Sequence, residues 1–205
     1  MYRKLALFIS YLFQPLLIPT LVFLYLIYGA THLVKVSYFD NRFLVAMVFL
    51  TTFIIPLLSV VMMRLTKNIG SFHMHSKEER VFPFSMISLF YMITTYLFYL
   101  KFRIDPALLL ALVVITISVI ILTSVTFFWK ISAHMTGISG LVAIIFAIAL
   151  KYPSYDYLAL VIGSILAAGL VGSSRLYLNA HTPGEIFGGF ILGFSICFSA
   201  FYWLL

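Results

Sequence analysis

Apolar runs follow one another along almost the whole chain, separated only by short polar links. Runs long enough to consider as membrane spans lie at about residues 5–30, 43–63, 84–100, 106–129, 138–151, 157–173 and 186–205. A helix needs roughly 20 residues to cross the hydrocarbon core. The run 138–151 falls short of that and 84–100 is marginal, so the pattern predicts six or seven spans. The first run carries Gln14-Pro15 and Pro19, which predicts a kink or a break. Arg3-Lys4 ahead of that run gives it the look of a signal peptide. The run is too long for one and no small-x-small cleavage site follows, so it reads as a retained helix.

Composition agrees. Of 205 residues, 63% are apolar and 9% charged, and the mean hydropathy is +1.13. A soluble domain carries about a quarter charged residues. The expectation is an all-α, multi-pass transmembrane helical bundle, a single integral membrane domain over 1–205. There is no room for a separate soluble domain, and nothing points to nucleic acid. Thirteen basic against six acidic residues leave a net charge of +7. That excess suits anionic lipid headgroups and is compatible with a phosphate-bearing substrate. Cys197 is the only cysteine, so no internal disulfide can form. No sequence feature speaks to oligomeric state.

Small residues mark where helices can approach. Gly163, Ser164, Ala167, Ala168, Gly169 and Gly172 lie in one run, and Gly188, Gly189 and Gly193 in the last. Gly189 and Gly193 form a GxxxG pair, which permits close backbone contact. Phe90, Tyr91, Tyr96, Phe98 and Tyr99 make the run 84–100 bulky, as expected of a peripheral or lipid-facing helix.

Three polar links hold the candidate chemistry: 64–83 with His73, His75, Lys77 and Arg80; 130–137 with Ser132 and His134; and 174–185 with Arg175, His181 and Glu185. Two spans separate each link from the next, so all three are expected on one face of the membrane. Ionisable residues at membrane depth are costly and point to function. Thr182-Pro183-Gly184-Glu185 reads as a helix start, with Thr as N-cap, Pro at the first position and Glu at the third. Glu185 is thus either a capping residue or a carboxylate fixing the tautomer of His181, four positions earlier. Arg175 is either a snorkelling cation or a fork for phosphate oxygens. His134 is either a satisfied interfacial residue or part of the same site. Ser76-Lys77-Glu78-Glu79-Arg80 reads as another helix start, with Lys77 and Arg80 on one face. His73-x-His75 has nothing nearby to complete a metal site, so no metal is expected.

Together these elements resemble the type 2 phosphatidic acid phosphatase (PAP2, lipid phosphate phosphatase) superfamily. Its third motif, Ser-Arg-x5-His-x3-Asp, is met by Ser174, Arg175 and His181, with Glu185 for Asp. Its second, Pro-Ser-Gly-His, is met by Ser132 and His134, with Ile131 for Pro and Ala133 for Gly. Its first, Lys-x6-Arg-Pro, has Lys77, Arg80 and Pro83 in order but at another spacing. The resemblance covers about 77–189 and implies a PAP2-like core over about 77–205.

It implies a metal-independent, cofactor-free phosphatase for a lipid phosphate or pyrophosphate, with membrane lipids as its surroundings. His181 would be the nucleophile that forms a phosphohistidine, Glu185 its orienting partner and His134 the acid for the leaving group. Arg175, with Arg80 or Lys77, would hold phosphoryl oxygens, helped by Ser132. It also implies a bacterial inner-membrane setting with the site facing outward. The charge count does not choose an orientation: without Lys77, Arg80 and Arg175 the two faces carry five basic residues each. Two other readings remain. One is a degenerate relative that binds phosphorylated lipid without turnover; the other is a haem protein with His134 and His181 as axial ligands.

Overall fold

The computed structural model describes residues 2–34, 39–66, 78–153 and 156–205. Among these every regular element is a helix, and seven helices are long and apolar enough to cross a membrane. The chain is an integral membrane protein of the all-α class. Its contacts divide it into two compact units, 1–18 with 129–205, and 19–128.

The first unit holds α1 (Tyr2–Leu12), a 3₁₀ turn (Pro15–Leu17), α7 (Ala133–Lys151), α8 (Leu158–Tyr177) and α9 (Pro183–Leu204). The expected break in the first apolar run is there. α1 stops at Leu12, and Pro15 opens the 3₁₀ turn with Gln14 in extended conformation ahead of it. α1 packs on α8, the 3₁₀ turn on α7, and α7 on both α8 and α9. The short run 138–151 proves to be a 19-residue helix, because Ser132 caps it and His134 lies in its first turn. α7 is the most apolar in surroundings: Ile138, Ala143, Ile144, Ala147 and Ile148 are all essentially inaccessible.

The α7–α9 contact is made possible by glycine. A Cβ on Gly189 would lie 2.6 Å from the Ser132 carbonyl oxygen, and one on Gly193 would collide with the Thr136 carbonyl. Gly140 answers from α7, facing the Cys197 sulfur at 3.0 Å. On α8 the expectation of tight packing holds only in part. Gly172 meets Met135 at 3.4 Å, whereas Gly163 and Gly169 face open space.

The second unit holds α2 (Ile18–Leu24) from its second residue on, α3 (Asn41–Phe49), α4 (Ile55–Leu65), α5 (Glu78–Leu97) and α6 (Pro106–Thr126). α2, α3 and α5 each run on into a π-helical turn. The marginal run 84–100 therefore lies in a continuous helix of 24 residues, Glu79–Phe102, long and apolar enough to cross a membrane. Hydroxyl pairs join α5 to α6, Ser88 to Thr123 at 2.8 Å and Thr95 to Thr116 at 2.7 Å. Tyr91 and Phe98 are buried rather than lipid-facing: the Tyr91 hydroxyl donates to the Thr52 carbonyl, and Phe98 packs edge-on to Phe23. Tyr96 and Tyr99 are exposed, as the sequence led one to expect.

A pair of glycine substitutions separates packing from propensity. Gly169→Ala should leave stability unchanged or raise it by about 0.5–1 kcal/mol, the helix cost of glycine. Gly193→Ala should lower it by about 1–3 kcal/mol, the usual cost of overpacking. Thermal unfolding of the two variants in detergent checks this; equal melting temperatures would deny the α7–α9 seam its role.

Candidate active site

The site is built where α8 ends and α7 and α9 begin. α8 closes with Asn179 in the left-handed region at φ 51°. The Ala180 N–H donates to the Arg175 carbonyl at 3.1 Å and the Asn179 N–H to the Leu176 carbonyl at 2.9 Å. These two bonds form a Schellman motif with Asn179 in the place usually held by glycine. The chain reverses at once into the N-cap of α9, leaving only Ala180 and His181 between turn and cap. Arg175 and His181 are thus held by backbone geometry at the two ends of one tight turn.

At the start of α9 a complete capping box forms. The Thr182 hydroxyl accepts from the Glu185 N–H at 3.3 Å, and Glu185 Oε2 accepts from the Thr182 N–H at 3.2 Å. The same Oε2 lies 2.8 Å from His181 Nδ1. The two readings of Glu185 are therefore both true: one oxygen caps the helix and holds the imidazole. A carboxylate only accepts when ionised, so Nδ1 is the protonated nitrogen of that pair. The His181 side chain is 2% exposed and that of Glu185 14%, so the contact is largely shielded from water.

The second motif meets the third through the backbone. The Ser132 N–H donates to the Glu185 carbonyl at 3.0 Å, and the Ser132 carbonyl passes over Gly189. The strand of chain before α7 is pinned further by Ile131, which is 1% exposed, and by the Trp129 ring lying on Gly188. Ile131 stands where the family motif has proline; its N–H donates to the Trp129 carbonyl at 2.9 Å, a bond proline could not make. Ser132 itself is fully buried, its hydroxyl accepting from the Met135 N–H at 3.4 Å as the N-cap of α7.

His134, half-buried, sets Nε2 3.2 Å from the main-chain carbonyl of Ser10 on α1. A carbonyl can only accept, so Nε2 donates there. Arg175 is half-buried, and its Nε has no hydrogen-bond partner. The structure thus gathers four of the expected site residues, Ser132, His134, His181 and Glu185, around the starts of α7 and α9, with Arg175 at the end of the adjoining α8. Arg80 belongs to the second unit, where it is buried in the first turn of α5. Lys77, His73 and His75 lie outside the described residues. Among the described residues no group of three or more His, Cys, Asp or Glu could hold a metal ion.

Two participants escaped the sequence. Asn179 had a readable signal, since asparagine is second only to glycine in the left-handed region. The Ser10 carbonyl had none, because every residue carries one.

The left-handed turn yields a stability test. Asn179→Gly should be tolerated, while Asn179→Val should cost about 1–3 kcal/mol, the range for a residue forced into a sparsely populated conformation. Melting temperatures of the two variants against wild type measure it. A harmless Asn179→Val would mean that the turn does not hold this geometry.

Comparison with known proteins agrees with the motif reading for the part of the chain that carries the site. Neither the curated proteins nor the solved structures gave a match. The family model of the PAP2 superfamily matches residues 124–205, which leaves the stretch 77–123 of the expected core resting on motif order alone. It is over these C-terminal residues, the end of α6 through α9, that the chain matches the PAP2 superfamily.

Proposed function

We propose that the protein is a membrane-embedded phosphatase that hydrolyses a lipid phosphate or pyrophosphate through a phosphohistidine. The observation that carries this reading is the 2.8 Å contact between His181 Nδ1 and Glu185 Oε2, joined through one backbone hydrogen bond to the turn that bears Ser132 and His134. A carboxylate on Nδ1 leaves Nε2 as the nucleophilic nitrogen and offsets the positive charge that develops on the ring.

The chemistry runs in two displacements. His181 Nε2 forms a bond to phosphorus as the P–O bond to the lipid breaks, and His134 gives its proton to the departing alkoxide. Water then attacks phosphorus with His134 as base, the P–N bond breaks, and inorganic phosphate leaves. With Nε2 of His134 engaged by the Ser10 carbonyl, Nδ1 is the nitrogen that exchanges the proton. Arg175 neutralises charge spreading over the phosphoryl oxygens, the main task of a protein in this reaction. Arg80 and Lys77 would add to it by the motif reading. The expected setting is a bacterial inner membrane with the site outward. Lipid phosphate would enter with its tails still in the bilayer.

His181→Ala should abolish phosphate release from phosphatidic acid while the protein stays folded. Acid-labile, base-stable label from a radioactive lipid phosphate should appear on wild type alone. Glu185→Gln keeps an oxygen for the cap but loses the charge, so melting should shift little while the rate falls at least about tenfold, in line with one charge-assisted bond. Near-normal release by His181→Ala would end the phosphohistidine reading; the lipid-binding alternative predicts no release from wild type either.

His134→Ala tests the acid. Positioned proton donation contributes roughly 10²–10⁴-fold, and a nitrophenolate leaves without it. The loss should be far larger for an alkyl lipid phosphate than for nitrophenyl phosphate, measured on the phosphorylation step. Equal losses would assign His134 to positioning instead.

A further inference from the structure

α1 lies outside all three motifs and outside residues 124–205, yet it reaches the site. Ser10 is 6% exposed, and its hydroxyl is buried with no hydrogen-bond partner. A serine inside a helix commonly bonds back to the carbonyl four residues earlier. Ser10 does not, although its own main-chain carbonyl holds His134. A buried hydroxyl left unsatisfied is destabilising, and such a group calls for a physical reason.

A second unsatisfied atom lies on the helix against which α1 packs. Arg175 Nε, on α8, is buried and without a partner. Nε–H can only donate, and a hydroxyl can donate as readily as accept. Two helices that adjoin α7 therefore each present a donor with no acceptor, one of them on the residue whose carbonyl holds His134. The missing group is an acceptor, and a negatively charged oxygen would satisfy both kinds of donor best.

We propose that Ser10 is a further substrate contact, its hydroxyl donating to an oxygen of the phosphate ester beside His134. The identity of that ester rests on the phosphatase reading above; the unsatisfied hydroxyl does not. In this role α1 contributes to the site twice, through the Ser10 carbonyl that fixes the imidazole and through the Ser10 hydroxyl that meets the ligand.

The experiment compares wild type and Ser10→Ala as full-length proteins in detergent. Melting is followed without ligand, with orthovanadate and with dihexanoyl phosphatidic acid, and phosphate release is measured at equal folded concentration. Removing an unsatisfied hydroxyl should leave the melting temperature without ligand unchanged or higher. The same change should lower kcat/KM for the lipid phosphate about tenfold, the worth of one hydrogen bond to a charged group, and shrink the shift given by ligand. If Ser10→Ala keeps the wild-type rate and ligand shift, the contact does not exist, and the phosphatase reading stands. If it melts lower without ligand and keeps the wild-type rate per folded molecule, the hydroxyl is structural and the proposal is overturned. A wild type that neither releases phosphate nor responds to vanadate or lipid phosphate would instead remove the phosphatase reading and this contact with it.

Discussion

The site depends on how closely the backbone of α9 can lie against that of α7. Transmembrane helices gain little from burying apolar surface against each other, because lipid is equally apolar. What they can gain is dispersion contact and hydrogen bonding at short range. Gly189 and Gly193 remove the side chains that would otherwise hold α7 away. Only then can the Ser132 N–H reach the Glu185 carbonyl at 3.0 Å. That bond sets the first turn of α7, with His134, beside the first turn of α9, with Glu185. The carboxylate then aligns His181. A chain of three short contacts thus runs from the glycine seam between α7 and α9 to the His181 imidazole.

Helix termini supply the remaining order. Ser132 caps α7, Thr182 and Glu185 cap α9 reciprocally, and Asn179 ends α8. Each device satisfies backbone groups that a helix end would leave open. The residues that end these helices belong to the candidate site or stand next to it. Capping and the orientation of the imidazole are served here by the same carboxylate oxygen, Glu185 Oε2.

Much of this was legible in the sequence, for reasons that differ by element. The spans followed from apolar run length, and the break at Gln14-Pro15 from the missing N–H of proline. The capping box at Thr182 followed from residue types three apart, a local rule that needs no tertiary information. The length of α7 is not evident from the apolar run 138–151, because Ser132 and His134 look like part of a polar link. A Ser N-cap extends the helix back by a turn. The burial of Tyr91 and Phe98 could not be read from bulk alone, since it depends on partners distant in sequence, Thr52 and Phe23. The reach of α1 to His134 was invisible for a different reason: a main-chain carbonyl has no letter in the sequence.

The partition of the chain has a consequence for its biogenesis. α1 is synthesised before the whole of the 19–128 unit, and the helices it packs with are synthesised after it. Contacts so remote in sequence are entropically late and slow to form. During synthesis α1 must stay in the bilayer with its packing surface covered by lipid or by an insertion factor. The unit of 1–18 with 129–205 cannot be complete before the 19–128 unit has been made, so the two do not mature one after the other as consecutive domains commonly do. Insertion of α7, α8 and α9 is therefore the step that completes the unit containing the candidate site.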